Sequence, residues 1–418
     1  MFFFYQFLLI LIVVISPLII LFRLFKNKEH KKRFIEKFSL IKRKRPKGNL
    51  IWFHAASVGE LMSIIPLIQE LEKNKTIKTV LITTSTLSSS KIFENFKFKK
   101  TVHQFFPIDL KYFTLRFLEY WQPTIAIFID SEIWPSMFRE IKKKSVPLIL
   151  MNARITKKSF NKWKFFKSFS RNTFGKIDIA YPSNIETFYY LKKLEINKIK
   201  KIGNLKFTDS KNSNKRLLSK SFVLLLKKRL IWVASSTHPS EEALVGKAHI
   251  HLKKKFKNLL TIIIPRHINR VKEIKDELET LNLKTVIRSS KQKISLKTDI
   301  YLVDSYGETK KFFKIAKIIF MGGSIVNHGG QNPIEPARYC LNIVHGPNVG
   351  NFKDVFKLFK KKKIAFQINS RNQLITVIQK LLVRRYKNKF NLKKIGRSIL
   401  KKTVIEITEI FKNEIKKT

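Results

Sequence analysis

Fully apolar runs rich in β-branched and aromatic residues recur from residue 50 to residue 368, each followed by a helix-length segment, and nothing else in the chain constrains its fold as strongly. In the first half the runs fall at 50–54, 80–84, 124–130, 146–152 and 177–182. A strand that is apolar at every position needs cover on both faces, the condition of a parallel sheet between helical layers. The pattern restarts at 230–234, 259–265, 284–287, 300–304, 317–321, 342–345 and 364–368. Two doubly wound α/β domains follow, in keeping with a length of 418 residues. The polar stretch 204–215 is the expected boundary. It gives an N-terminal domain at 49–208 and a C-terminal domain at 209–418, preceded by an apolar segment at 1–25 and a basic linker at 26–48.

Doubly wound sheets bind ligands beyond the carboxyl ends of their strands. Here nearly every strand ends in a polar cluster. The first half has His54-Ala-Ala-Ser-Val-Gly-Glu60, Thr83-Thr-Ser-Thr86, Asp130-Ser-Glu-Ile-Trp-Pro135 and Asn152-Ala-Arg154. The second has Ser235-Ser-Thr-His-Pro239, Pro265-Arg-His267, Asp304-Ser-Tyr-Gly-Glu308 and Gly322-Gly-Ser324, with Gly329-Gly-Gln-Asn-Pro-Ile-Glu-Pro336 just beyond. Paired glycines let backbone N–H groups approach an anion, and the prolines mark a helix start, so this last segment outlines a phosphate-and-ribose site. Because a residue before proline resists helical geometry, Glu335 is expected at the helix cap, free to accept from a ribose diol. Taken alone, the same residues read equally well as a turn in which Glu335 caps its own helix.

The formal charge of +56 implies attraction to something anionic: nucleic acid, a phospholipid surface or a phosphorylated substrate. Cys340 is the one cysteine, which excludes an intrachain disulfide framework and a multi-cysteine zinc site. Residues 2–22 carry no charged side chain and are long enough for one bilayer crossing. They lack the basic start and small-residue cleavage site of a signal peptide. A retained single-pass anchor is expected, with a helix lying in the membrane interface as the alternative. The flanking Arg23, Lys26, Lys28, Lys31, Lys32 and Arg33 place the body of the protein on the cytoplasmic side.

Glu60 follows a tight Ser-Val-Gly turn and opens a segment apolar at positions 61, 64, 65, 68 and 71, a helical spacing. It reads as a general base toward an acceptor hydroxyl, or as an ordinary helix-start carboxylate. A helix N-terminus lowers a carboxyl pKa, so burial must oppose the dipole if Glu60 is the base. Asp130-Ser-Glu132 resembles only loosely the Asp-x-Asp spacing of metal-dependent glycosyltransferases, and no larger ligand cluster accompanies it; no catalytic metal is expected. Lys206 and Arg266 are cations at places suited to a leaving phosphate. His238, His267 and His328 lie in strand-end clusters and are assigned no proton transfer.

Together these motifs resemble the 3-deoxy-D-manno-octulosonic acid (Kdo) transferases of lipid A core assembly. Phe106-Pro-Ile-Asp109, Glu132-Ile-Trp-Pro135, Gly203-Asn-Leu-Lys-Phe207 and Asn332-Pro-Ile-Glu-Pro336 carry the resemblance with those above, in the family's order and over essentially the whole chain. It implies a GT-B fold of two facing Rossmann-like domains, an N-terminal acceptor domain and a C-terminal CMP-sugar-binding domain. The implied reaction is an inverting, metal-independent transfer of Kdo from CMP-Kdo to the lipid A precursor (lipid IVA), at the cytoplasmic face of the inner membrane and among its anionic lipids. CMP-Kdo is the donor substrate, and no further cofactor is implied.

By the same resemblance Glu60 matches the general base, and Glu132 and Lys206 match transition-state stabilisers. Pro265, Arg266, Tyr306, Gly307, Glu308, Asn332, Pro333, Ile334 and Glu335 fall on CMP-contacting positions. The sequence departs from the family pattern at Asp130-Ser131, where Glu-Thr is usual, and at Ser136, Ser240 and Gln331, where Asn, Gly and His are usual. Another membrane-associated GT-B enzyme with a different nucleotide sugar is the alternative reading. A non-enzymatic basic protein tethering lipid or nucleic acid would explain the charge but not the acidic residues at strand ends, and aromatic-interleaved basic motifs for nucleic acid are lacking.

Overall fold

The computed structural model describes residues 1–208, 218, 220–290, 292, 294–383 and 390–417. The chain divides into two compact units, one of Met1–Ser213 with Lys393–Thr418 and one of Asn214–Leu392. The first holds six parallel strands: β1 (Leu50–His54), β2 (Thr79–Thr84), β3 (Thr101–Phe105), β4 (Ile125–Ile129), β5 (Leu148–Ala153) and β6 (Ile179–Pro182), in the order β3-β2-β1-β4-β5-β6. The second holds seven: β7 (Leu230–Thr237), β8 (Leu259–Pro265), β9 (Thr285–Ile287), β10 (Ile300–Leu302), β11 (Ile318–Met321), β12 (Asn342–His345) and β13 (Ala365–Gln367), in the order β13-β12-β11-β7-β8-β10-β9. Each sheet reverses its winding direction once, between β1 and β4 and between β7 and β11, and at such a point the loops diverge to leave room for a ligand.

The two-sided burial inferred from the apolar runs is present. β1, β4 and β8 are buried at every residue. In the first unit Trp52, Phe117, Phe128 and Phe138 are fully buried, with the Trp52 and Phe117 rings 4.8 Å apart. Trp232 and Phe320 anchor the second core. Parallel register breaks twice at strand ends, between Leu150 and Ala153 and between Ser235 and Thr237. In each, one residue takes a left-handed conformation, Asn152 (φ 54°) and Ser236 (φ 55°). Such bulges re-aim the side chains beyond them.

Seven helices position the functional residues or define the two units: α1 (Phe2–Phe25), α2 (Val58–Leu71), α3 (Pro135–Lys143), α4 (Lys157–Phe165), α5 (Lys167–Phe174), α6 (Glu241–Lys255) and α7 (Leu392–Ile415). α7 corrects the expected domain boundary, since it packs on the first unit although its sequence follows the second. Tyr181 Oη donates to Glu406 Oε1 (2.9 Å), Lys200 pairs with the same carboxylate, and Gly396 lies so close to the Phe207 carbonyl that a Cβ would overlap it. The expected boundary at 204–215 runs beyond Thr208 into residues outside the described set.

α1 has the length and hydropathy to cross a membrane. Its first two turns are nevertheless bonded to the first unit. Tyr5 Oη donates to Asp109 Oδ2 (2.7 Å), Gln6 Nε2 donates to Ser136 Oγ (2.6 Å), and the Lys111 N–H donates to Gln6 Oε1 (3.0 Å).

Candidate active site

In the first unit the residues after β1 and β4 meet at the point where the sheet reverses. His54, the last residue of β1, is wholly buried and stacks on Phe106 with centroids 3.8 Å apart. Its Nδ1 lies 3.0 Å from Thr83 Oγ1 and its Nε2 3.2 Å from Glu132 Oε2. Burial holds the imidazole below its usual pKa despite the neighbouring Glu132 carboxylate, so the ring is neutral. In the tautomer protonated at Nε2 the ring donates to the Glu132 carboxylate, and Nδ1 accepts from the Thr83 hydroxyl. Trp134 Nε1 donates to the same Glu132 oxygen (3.0 Å). Two donors on adjoining elements thus fix this carboxylate.

Glu60 is the third residue of α2 and forms a capping box with Ser57: each backbone N–H is 3.4 Å from the other's side-chain oxygen. The helix-cap reading of this carboxylate is therefore present in the structure. Burial opposes the dipole as the base role requires. Desolvation, then the negative charges of Glu132 and Asp130, push its pKa up to about 7 against the Ser57 hydrogen bonds. A carboxyl that titrates near neutrality is matched to proton abstraction at cellular pH.

Asp130 stands at the end of β4 with φ 60°, a conformation that L-residues adopt at a cost and that recurs at functional sites. Its Oδ2 accepts from Lys206 Nζ at 2.8 Å. Lys206 sits on a short 3₁₀ turn, Leu205–Phe207, held by two asparagines: Asn152 Oδ1 accepts from the Leu205 N–H (2.9 Å) and Asn204 Oδ1 from the Lys206 N–H (2.8 Å). The bulge at Asn152 is what turns its amide toward that loop. Three carboxylates, one lysine and a neutral histidine thus gather at the switch point of this sheet.

Asp109 belongs to one of the sequence motifs, yet nothing in the motif assigns it a role. It is buried, and it accepts from the Ser136 (2.9 Å) and Met137 (2.7 Å) N–H groups at the start of α3, the helix that follows Glu132-Ile-Trp134. Burial raises its carboxyl to about pKa 6 against those bonds and that of Tyr5.

In the second unit the glycine-rich turn differs from the expected anion nest. Gly322 packs so closely on the Ser236 carbonyl that any Cβ would overlap it, as the close-approach reading requires. The N–H groups of Gly323, Ser324 and Ile325, however, point at the Glu241 carboxylate (2.8, 3.1 and 3.0 Å), which also accepts from the His238 N–H (3.0 Å). Glu241 is wholly buried and opens α6. It ties the end of β7 to the turn after β11 across the switch point of this sheet. The sequence offered only a Glu at a helix start, indistinguishable from a dipole-complementing residue. Ser240, its predecessor, has φ 73°, a left-handed conformation that Gly adopts without steric cost.

The remaining residues of this unit divide into exposed and paired ones. Arg266 is exposed at the end of β8, directly after buried Pro265; Tyr306 is 73% exposed and Gly307 has φ 78°. Glu308 is bound through both oxygens by Arg288 and also meets Lys311 and Ser305; the Arg288 guanidinium holds its pKa down near 2. Glu335 lies inside the first turn of the helix Ile334–Arg338, with Lys310 Nζ 3.3 Å away. That corrects its expected position at the cap. The cap residue is Pro333; Asn332 just before it accepts from the Ile334 N–H through Oδ1 (3.0 Å), while Pro333 and Ile334 are buried. His238, His267 and His328 cluster, with His238 and His328 stacked at 4.2 Å and His267 6.0 Å from His238. Burial and these neighbours push His238 down to about 4.

The model of a family described as 3-deoxy-D-manno-octulosonic-acid transferase (kdotransferase) matches residues 32–209. The 3-deoxy-D-manno-octulosonic acid transferase of Rickettsia bellii is 36% identical over 383 residues, 90% of each chain. That of Haemophilus influenzae is 30% identical over 373 residues, 86% of each. Among solved structures, a glycosyltransferase from Rickettsia africae superposes with a TM-score of 0.59 over 89% of this chain and 100% of that one, at 14% identity, a likeness of fold alone. The two parallel-sheet α/β units are those of the GT-B fold.

Proposed function

The chain belongs to the 3-deoxy-D-manno-octulosonic acid (Kdo) transferase family, glycosyltransferases of lipopolysaccharide biosynthesis, and from that premise we propose that it moves Kdo from CMP-Kdo to the lipid A precursor lipid IVA, inverting the anomeric carbon without a metal ion. The observation that carries the chemistry is Glu60: a partly buried carboxylate at the switch point of the first sheet, raised to about pKa 7 by burial and two neighbouring acids.

In this reading Glu60 takes the proton of a primary sugar hydroxyl as its oxygen bonds to the anomeric carbon of Kdo. The bond from that carbon to the phosphate oxygen breaks through an oxocarbenium-like state, CMP carries away the electron pair, and the proton ends on Glu60. Glu132, fixed by His54 and Trp134, supports positive charge developing on the sugar. Lys206 and Arg266 stabilise the departing phosphate. Pro265, Tyr306, Gly307 and the Asn332–Glu335 segment hold the nucleotide, with Glu308 braced by Arg288.

Metal independence rests on the state of the acids. Asp130 is engaged by Lys206 and Glu132 by His54 and Trp134, and among the described residues no three His, Cys, Asp or Glu side chains form a metal-holding group. The apolar α1 and the basic residues after it support a place at the inner membrane with both units on the cytoplasmic face.

Purified protein given lipid IVA and a panel of nucleotide sugars in excess EDTA tests the assignment. Release of CMP from CMP-Kdo, with Kdo appearing on the lipid and no turnover of other donors, is expected. Preference for another donor, or activity restored only by Mg²⁺ or Mn²⁺, overturns it.

A further inference from the structure

The turn that carries Lys206 belongs to the first unit, yet the last helix of the chain closes over it. Leu205–Phe207 is a single 3₁₀ turn with two backbone bonds of its own, from the Phe207 N–H to the Asn204 carbonyl (3.0 Å) and from the Thr208 N–H to that of Leu205 (2.9 Å). A turn this short has little stability by itself and takes its place from what packs on it. Asn152 and Asp130 hold it from the strand ends. Two helices hold the rest.

On the α2 side, Thr208 Oγ1 donates to the Leu205 carbonyl (2.6 Å) and lies 3.3 Å from the Ser63 carbonyl, while Ser63 Oγ donates to the Glu60 carbonyl (2.6 Å). Two hydroxyls thus link the Lys206 turn to the end of α2 that bears Glu60. On the α7 side, two missing side chains make the fit. A Cβ on Gly396 would overlap the Phe207 carbonyl and stand 3.3 Å from Thr208 Cα, so helix backbone meets turn backbone directly. Gly203 has φ 119°, and a Cβ there would stand 2.8 Å from Ile399 Cδ1, so the Ile399 side chain covers the start of the turn. Ile399, Thr403, Ile407 and Phe411 continue Gly396 as a buried stripe at helical spacing. Glu406, bound by Tyr181 and Lys200, fixes the rotation of α7 about its axis.

We propose that Gly396 and Ile399 are positioning residues for the transfer reaction: through the Gly203–Thr208 turn, α7 sets where Lys206 stands against Asp130 and beside the Glu60 end of α2. The inference rests on the reaction proposed above for what Lys206 does, and on packing alone for where it is held. Because α7 follows the whole second unit in sequence, a cation of the first unit is put in place by the last residues of the chain to be made.

The test uses the full chain with Ile399→Ala, which opens space beside Gly203, with Gly396→Ala as a second variant and Ile399→Val as the conservative one. Transfer from CMP-Kdo to lipid IVA, expressed per CMP-binding enzyme, should fall about tenfold in kcat for Ile399→Ala, with both KM values within about twofold and Ile399→Val near wild type. In a Lys206→Ala background the same change should add less than about a twofold loss, because the group it acts through is gone. A tenfold loss in both backgrounds, or full activity of Ile399→Ala and Gly396→Ala alike, overturns the proposal. Lys206 supplies a readout that needs no turnover: acetylation of its amine by a lysine-reactive ester, followed by peptide mass spectrometry, should be at least about threefold faster in Ile399→Ala, with Lys253 of the second unit unchanged. Unaltered labelling of Lys206 overturns its placement by α7 whichever sugar is transferred, whereas a wild type that moves no Kdo while the labelling changes as expected overturns the reaction and not the placement.

Discussion

Lys206 Nζ lies 2.8 Å from Asp130 Oδ2, so the cation assigned to the leaving phosphate is held by the acid directly after β4. The pair is mostly buried, with 24% and 8% of the two side chains exposed, and Asp130 reaches it from a left-handed conformation. The Asp130-Ser-Glu132 segment therefore plays two parts: its first acid holds a lysine, and its second is fixed by His54 and Trp134.

Lys206→Ala is expected to lower kcat about 10²- to 10³-fold, the scale of losing one preorganised charge stabiliser. Asp130→Asn should cost only about tenfold, since the lysine remains but is less firmly held. A double-mutant cycle on thermal stability should give a coupling above about 1 kcal/mol, because either single change leaves a mostly buried charge short of its partner. Additive effects would show that the pair is not coupled.

Glu241→Gln places an amide where four backbone N–H groups need acceptors. Each buried donor left unpaired costs about 1–3 kcal/mol, so a marked fall in melting temperature is expected. The turn from Gly322 to Ser324 loses its brace in the same step, and CMP affinity should drop at least tenfold while lipid IVA affinity is unchanged. Calorimetric titration with CMP and with lipid reads both, and unchanged CMP binding would separate this turn from the nucleotide site.

An N-terminal membrane anchor need take no part in the chemistry. Tyr5 instead completes the hydrogen bonding of Asp109, and Asp109 caps the helix next to Glu132 and Trp134. A chain beginning at Lys26 should therefore lose about three- to tenfold in kcat even on detergent-dispersed acceptor, and Tyr5→Phe a smaller part of it. Full activity of the truncated chain in detergent would restore the simpler expectation.

Glu60→Gln separates stability from activity. Gln keeps the capping box, because its side-chain oxygen still accepts from the Ser57 N–H. The wild-type carboxyl binds its proton more tightly folded, at about pKa 7, than unfolded, near 4.5. Between these values the folded state holds the extra proton, so wild-type stability is greatest below the lower pKa and falls as pH rises through the higher one. At pH 8 Glu60→Gln should be more stable than wild type, with the difference shrinking toward pH 4.5. Denaturation at the two pH values measures it, and a variant less stable at pH 8 would mean the carboxylate is not strained by its surroundings.

The sheets were legible because a strand buried on both faces has a simple signature, and every apolar run became a strand. β3 escaped, since Thr101-Val-His-Gln-Phe105 mixes polar residues whose partners, Arg33 to His103 and Trp121 to Gln104, come from elsewhere in the chain. α7 was misplaced for a related reason: an amphipathic helix does not declare which sheet it will cover. At the site, strand-end position singled out Glu60 and Glu132, and Lys206 stood out because it lies where the first domain hands over to the second. The Lys206–Asp130 pairing and the occupation of the glycine turn by Glu241 were not legible, because both join residues far apart in sequence (76 and 82 positions). The raised pKa of Glu60 likewise depends on burial and then on Glu132 and Asp130, acids that lie on a different strand's loop.

The most direct test of the account is the pH dependence of single-turnover Kdo transfer from CMP-Kdo to lipid IVA by wild-type enzyme and Glu60→Gln. Wild-type rate should climb about tenfold per pH unit from pH 5 and level off near pH 7, as the Glu60 carboxyl ionises. Glu60→Gln should lose that limb and about 10²-fold or more in rate while binding CMP normally. An unchanged limb with near wild-type rate in Glu60→Gln would contradict the account and move the base elsewhere.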